Sequence, residues 1–487
     1  MKNDWFKLLL TGIAIFIMRT TVLAHAPVAD GYNIKVRITE FDKDTIFLGY
    51  HLGNQTFICD TAILDKKTGV FTFQKPKKKL EAGVYLVVTP PENSYFQIMV
   101  PADEQHFSLT TSTLDFYGKS KFTGSKDNDL FYNYMQFLSK KRGEAEAAGE
   151  LRKRDSIAGS KKLELLDKEV RAYQADLVKT NPKSISAMLI KTAIEIETPM
   201  FPEITDKEKN EYARYVHYKT HYFDNFEMGN PALLRTPVLA QRIDGYLDKL
   251  TPQHPDSISE SLNHVLDLLK PNKEAFQFYF IQYLNKYIKS NVVGFDAIHV
   301  NLTKKYIETG VTDSFIPKDN KLKLVDQANR LFPILIGKTA PDIKTFKEDN
   351  STISVSDIKS KYTVLYFFAP DCGHCQKQSP VLVEFLQKAK EKKIDVKVMA
   401  VCTYAGPDKM PECWKYMKEK GFGDFITTVD PYMISRYKTL YNVETTPQVY
   451  VLDEEKHIRS KSIDAKQLTE VLDHIIEEDN AKLKIKN

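Results

Sequence analysis

Val364-Leu365-Tyr366-Phe367-Phe368-Ala369-Pro370-Asp371-Cys372-Gly373-His374-Cys375 decides how the C-terminal third of this chain is read. Its first residues belong to an apolar run, 362–368, of the kind a strand buried on both faces requires. Two cysteines follow, three positions apart, and residues 376–391 have helical periodicity. The cysteines therefore open a helix directly after a buried strand. Positions i and i+3 share a helical face, so the two sulfurs can close a disulfide. A helix start gathers unpaired N–H groups and about half a positive charge. That setting draws a cysteine pKa from about 8.5 into the range of roughly 3.5–7.5. Cys372, at the exposed end, is the expected attacking thiolate. Cys375, one turn inside, is the expected resolving thiol. Gly373 leaves room for a partner chain, and His374 can set positive charge or a hydrogen bond beside the thiolate. Stabilising the thiolate stabilises the reduced pair and makes it more oxidising.

Outward from the motif, strands and helices alternate. Residues 396–401 read as a second apolar strand and 409–421 as a helix. Gln448–Leu452 and residues 457–459 flank the turn Asp453-Glu454-Glu455 and predict a hairpin, and 465–478 a last helix. This pattern predicts an α/β domain over residues 334–487. Residues 27–125 are different. Ile34, Val36 and Ile38 alternate with polar residues, as do Phe96, Ile98 and Val100, then Phe107 and Leu109. A small antiparallel sandwich or barrel is expected there. Residues 126–333 read as all-helical. Leu163, Leu166, Val170, Tyr173 and Leu177 form one stripe, with Asn181-Pro182, Asn230-Pro231 and Lys270-Pro271-Asn272 as breaks.

The N-terminus reads as an export signal, residues 1–26. Lys2 and Lys7 precede an apolar run at 8–18, and Ala24-His25-Ala26 has the small-x-small form of a cleavage site. The run is short for a membrane span, so membrane association is expected only through this segment if it stays uncleaved. The net charge of +5 comes from 69 basic and 64 acidic side chains, too balanced to predict nucleic-acid binding. No cofactor is called for, and no metal site. His217 and His221, four apart on one helix, lack a third ligand and read as surface histidines.

Five cysteines are few for 487 residues. A zinc half-site would need a second cysteine pair at similar spacing, which Cys402 and Cys413 do not form. A purely structural disulfide three residues apart on a helix constrains almost nothing. Cys402 should end the second strand and Cys413 should lie near the start of the next helix. They remain open between a second disulfide, an electron relay for Cys372 and small core hydrophobes. Cys59 reads as packing.

With these residues in hand, segment 364–375 resembles the active-site strand and helix of thioredoxins. Pro380 matches the proline that kinks their first helix. Thr445-Thr446-Pro447 matches their cis-proline loop, and Ile336-Gly337-Lys338-Thr339-Ala340-Pro341-Asp342 resembles the lead-in of the exported TlpA and ResA-like branch. The resemblance implies that Pro447 faces the disulfide and that Gly373, Thr446 and Pro370 contact the partner chain. It implies an envelope or periplasmic thiol–disulfide oxidoreductase acting on protein disulfides, with an envelope electron donor, and reduction as the expected direction. Oxidation or isomerisation is the alternative, as is a client-binding protein with a secondary redox pair. Two departures stand out. Tyr366 occupies the place of a buried thioredoxin Asp, and Gln378 that of a ResA-type Glu, which leaves water, Glu384 or Asp371 to move protons. A peroxiredoxin pattern, Pro-x-x-x-Thr-x-x-Cys, is absent. More loosely, the upstream regions resemble domains of unknown function that precede such domains. Gly124-Ser125-Lys126-Asp127-Asn128 looks like their β-domain junction, and Gly294-Phe295-Asp296-Ala297 like a recurrent helical-domain feature.

Overall fold

The computed structural model describes residues 31–486, so the export segment lies outside the described residues. The chain divides into two compact units between residues 241 and 242.

The first unit begins with eight strands: β1 (Tyr32–Thr39), β2 (Thr45–Leu52), β3 (Gln55–Asp65), β4 (Val70–Lys75), β5 (Gly83–Thr89), β6 (Ser94–Val100), β7 (His106–Ser112) and β8 (Lys121–Thr123). They form one sheet, in the order β6-β5-β2-β3-β4-β1-β7-β8. The alternating residues of β1, β6 and β7 all point into its core. The expected purely antiparallel domain needs one correction: β1 and β7 pair in parallel. Period-two alternation selects the buried face of a strand but carries no information on the direction of its neighbour. The helices α1 (Lys126–Arg154), α2 (Ser156–Thr180), α3 (Ile185–Thr192) and α4 (Lys207–Thr220) follow. Ser125 caps α1, and the buried Asn128 amide bonds both the N–H and the carbonyl of Met99 at 2.8 and 2.7 Å. The junction segment 124–128 thus ties the first helix to β6. The rings of His217, on α4, and of His221, which caps its C-terminus, lie 4.4 Å apart, and His221 Nδ1 is 2.7 Å from an Asp224 carboxylate oxygen.

The division falls within α5 (Pro237–Lys249). The second unit starts with α6 (Pro255–Leu269), α7 (Lys273–Ile288), α8 (Asp296–Leu302) and α9 (Lys318–Leu331). The breaks at Asn181-Pro182, Asn230-Pro231 and Lys270-Pro271-Asn272 all fall between helices. The sheet region then reads β9 (Lys344–Phe346), β10 (Thr352–Ser354), β11 (Tyr362–Phe368), α10 (Gly373–Glu391), β12 (Val396–Cys402), α11 (Met410–Glu419), β13 (Ile426–Val429), α12 (Tyr437–Leu440), β14 (Gln448–Leu452), β15 (Ile458–Lys461) and α13 (Leu468–Lys486). Seven strands order as β10-β9-β13-β12-β11-β14-β15.

β11 explains its own apolar run. Tyr362, Val364, Tyr366 and Phe368 face one core with α10, α11 and α13. Leu365 and Phe367 face a second core, with Tyr437, Tyr441 and Ile343. Both faces are covered, so no position in the strand tolerates a charge. β11, β12 and β13 run parallel and finish side by side: Phe368 pairs with Cys402, and Cys402 with Val429. β14 runs the other way and begins at that same end, Gln448 opposite Phe367.

Candidate active site

The sheet end defined by Phe368, Cys402 and Gln448 positions the dithiol. After Phe368, three residues carry the chain to Cys372, which adopts an extended backbone (φ −77°, ψ 111°) and caps α10. The N–H of Cys375 donates to Cys372 Sγ at 3.1 Å. A sulfur therefore serves where helices ordinarily use a Ser or Asp oxygen, and it does so best as an anion. Across from it, the Thr446-Pro447 bond is cis, and the Thr446 carbonyl oxygen lies 3.2 Å from Cys372 Sγ, accepting from the thiol form.

Both cysteines are free thiols in contrasting settings. Burial pushes the Cys372 thiol up, but hydrogen bonds from the Cys375 side chain and N–H, Thr446 and the His374 N–H outweigh it, leaving its pKa below the ordinary thiol value. Cys375 is fully buried. Burial first, then its hydrogen bond to Cys372, pushes it up to about 12. The setting of Cys372 thus favours its anion, while that of Cys375 favours the protonated thiol.

The neighbours sort by exposure. Gly373 and His374 are exposed, and a Cβ on Gly373 would meet nothing within 4 Å, so this face is open to a partner. Pro370 is half-buried, and its carbonyl accepts from Gln376 Nε2 at 2.6 Å, which fixes the loop before Cys372. Pro380 lies inside α10.

The candidate proton acceptors need revision. Glu384 is excluded: it lies about 18 Å along α10 from Cys372 and pairs in the open with Lys388 at 2.7 Å. Gln378 bonds Asp464 and the N–H of Ala465 instead of facing the thiols. Asp371 is exposed and lies beside Tyr404. Sequence reasoning missed a buried hydroxyl chain: Tyr366 to Ser379 at 3.0 Å, and Ser379 to Tyr416 at 2.9 Å. The Tyr366 hydroxyl also lies 3.5 Å from the Cys375 carbonyl. Hydroxyls inside an apolar run read as core, and only the spacing of Ser379 one turn beyond Cys375 hinted otherwise.

Cys402 and Cys413 are joined by a disulfide, Cα atoms 6.1 Å apart, with both residues fully buried. Cys59 is half-buried with its Sγ 3.4 Å from the Leu48 carbonyl, and burial pushes its thiol up to about 11.

Residues 336–461 match the AhpC/TSA family. The chain carries an AhpC/TSA thioredoxin-like domain. Residues 160–319 and 32–131 match two domains of unknown function, DUF5106 and DUF4369. No curated protein matches the chain. Among solved structures, a domain of a possible thiol-disulfide isomerase from Cytophaga hutchinsonii is 28% identical, covers 30% of this chain and 97% of its own, and has a TM-score of 0.28. A thioredoxin-like protein from Bacteroides caccae is 16% identical over 58% of this chain and 100% of its own, with a TM-score of 0.42. The thioredoxin domain of a Bacteroides vulgatus thiol-disulfide oxidoreductase is 19% identical over 29% of this chain and 96% of its own, with a TM-score of 0.26.

Proposed function

We propose that this protein thiol–disulfide oxidoreductase works outside the cytoplasm, as a TlpA-like enzyme that reduces disulfides of envelope proteins. The observation that carries the reading is the Cys372 sulfur: it accepts the Cys375 N–H at 3.1 Å and lies 3.2 Å from the carbonyl of Thr446, beside a cis proline. Cys372 thiolate attacks one sulfur of a client disulfide. A mixed disulfide forms, and the other client sulfur leaves as a thiolate. Cys375 then gives up its proton and attacks Cys372 Sγ, releasing the second client thiolate and closing the Cys372–Cys375 disulfide. The client gains two electrons, and an external dithiol donor restores the pair. Gly373 and the Thr446-Pro447 turn dock the client, and His374 tunes the thiolate.

The location rests on the export-type N-terminus and on the Cys402–Cys413 disulfide, since oxidising compartments preserve such bonds. No helix among the described residues is long and apolar enough to cross a membrane. The reduction potential of the Cys372/Cys375 couple tests the direction. A value near thioredoxin's roughly −270 mV supports a reductase. One between roughly −180 and −120 mV makes the protein an isomerase or oxidase instead.

A further inference from the structure

Three consecutive large apolar side chains stand exposed at the redox end of the sheet. Tyr432 is 63% exposed, Met433 36% and Ile434 66%. They sit in the loop leaving β13, whose last residue, Val429, lies in register with Cys402 and through it with Phe368. Two strand spacings separate the ends of β11 and β13, about 10 Å. Cys372 follows one of these ends by four residues, and Tyr432 follows the other by three. The intervening β12 loop links them. Tyr404 of that loop lies beside Asp371, and the N–H of Gly406 donates to the Pro431 carbonyl at 2.9 Å.

The exposed loop is also held in shape. Asp430 is buried, and its carboxylate accepts from the N–H of Ile434 at 3.0 Å, the N–H of Ser435 at 2.9 Å and the hydroxyl of Ser435 at 2.6 Å. The Tyr432 ring packs edge-on against Phe346, centroids 6.3 Å apart. Met433 (φ 53°) and Arg436 (φ 55°) take left-handed backbone conformations. The bonds to Asp430 fix the backbone that carries these three apolar residues, and the Tyr432 ring is itself held by Phe346. A fixed apolar surface loses little entropy when something covers it.

We propose that residues 432–434 form a client-recognition ridge, and that its occupant is an extended apolar segment flanking the cysteine that Cys372 attacks. This rests on the disulfide-exchange reading and supplies its substrate class: unfolded polypeptides with apolar flanks, in preference to small disulfides. The ridge continues the docking surface already described. The Thr446-Pro447 turn lies on one side of Cys372, before β14, and the ridge lies on the other, after β13. A strand crossing from Thr446 to Ile434 covers three strand spacings, about 15 Å, or roughly five extended residues. Its cysteine falls over Cys372 and its apolar side chains over Tyr432 and Ile434.

The test uses the full chain, its Tyr432→Ser/Ile434→Ser double variant and three probes: 5,5′-dithiobis(2-nitrobenzoate), a disulfide-linked peptide with Leu/Val flanks, and the same peptide with Gly/Ser flanks. The wild type is expected to reduce the apolar peptide about tenfold faster than the Gly/Ser peptide. The double variant is expected to lose that preference while keeping its rate on the small aromatic disulfide. Equal rates of the wild type on both peptides, or an unchanged preference in the double variant, overturns the ridge. So does a wild-type dimer, seen by light scattering, that the double variant dissolves, since the ridge would then be covered by a second copy. Failure of the wild type on all three probes refutes the exchange reading itself.

Discussion

Replacing Asp296 by Ala should destabilise the C-terminal unit markedly, because it leaves a buried ammonium without its counter-charge. Lys461, on β15, keeps only 6% of its side chain exposed. Its ammonium donates to the Asp296 carboxylate and, at 2.7 Å, to the Ile334 carbonyl. Burial pushes the lysine pKa down, and Asp296 opposes that. Removing the carboxylate leaves a buried ammonium with one neutral acceptor, a loss of about 3–5 kcal/mol. Lys461→Met keeps the stem's packing and strands only the Asp296 carboxylate; its Oδ1 is buried without a partner, but the side chain keeps 24% exposure against 6% for the lysine, so the cost is smaller, about 2–3 kcal/mol. The double variant, with neither charge, should recover most of the loss. Urea unfolding followed by Trp414 fluorescence reads this locally, because Trp414 packs against the core of the same unit. The order of stability expected is wild type, Lys461→Met, the double variant close to it, then Asp296→Ala. An Asp296→Ala protein within about 1 kcal/mol of wild type, or a double variant no better than it, refutes the reasoning. The pair also gives the Gly294-Phe295-Asp296-Ala297 segment a physical role: it anchors α8 to the sheet edge.

The Cys372 pKa lies below the ordinary thiol value, so alkylation of the reduced protein by iodoacetamide should rise with pH through a midpoint below that of a free thiol, and fall away as acid protonates the sulfur. A midpoint at or above the free-thiol range contradicts the site electrostatics. His299 is 1% exposed, and burial lowers its pKa to about 4, against a weaker opposing pull from Asp296. The unfolded chain binds that proton first, so its contribution is fully present above about pH 6.5 and is lost as pH falls toward 4. Over that window the wild type should lose about 3 kcal/mol that a His299→Leu protein does not, as read by urea midpoints across pH. Converting both Cys402 and Cys413 to Ala opens a short covalent loop, 11 residues in separation, and should cost about 2–3 kcal/mol while leaving the Cys372/Cys375 potential unchanged. A shifted potential would make the second pair part of the redox chemistry.

Much of the dithiol site was legible because its information is local. A buried strand, a cysteine at the helix start and a second one turn on are contiguous, and Thr446-Pro447 is a recognisable turn. The strands at 362–368 and 448–452 emerge where the apolar pattern puts them. β13 escaped notice because Ile426-Thr427-Thr428-Val429 is short and half polar. β9 and β10, at three residues each, carry no period at all. The parallel pairing of β1 with β7 and the Lys461–Asp296 pair, 165 residues apart, depend on tertiary neighbours that no local window contains. Glu384 failed as a proton acceptor for a geometric reason: it is on the solvent face of α10, with Lys388 as its partner. The chain Tyr366–Ser379–Tyr416 was hidden because tyrosines in an apolar run look like core until their hydroxyls meet.

Trapping the mixed disulfide is the direct test of the dithiol. Cys375→Ser protein, incubated with a disulfide-linked peptide and analysed by mass spectrometry, should carry one peptide on Cys372, released by dithiothreitol, and Cys372→Ser protein should carry none. An adduct on Cys59, or none on Cys372 at neutral pH, would contradict the account.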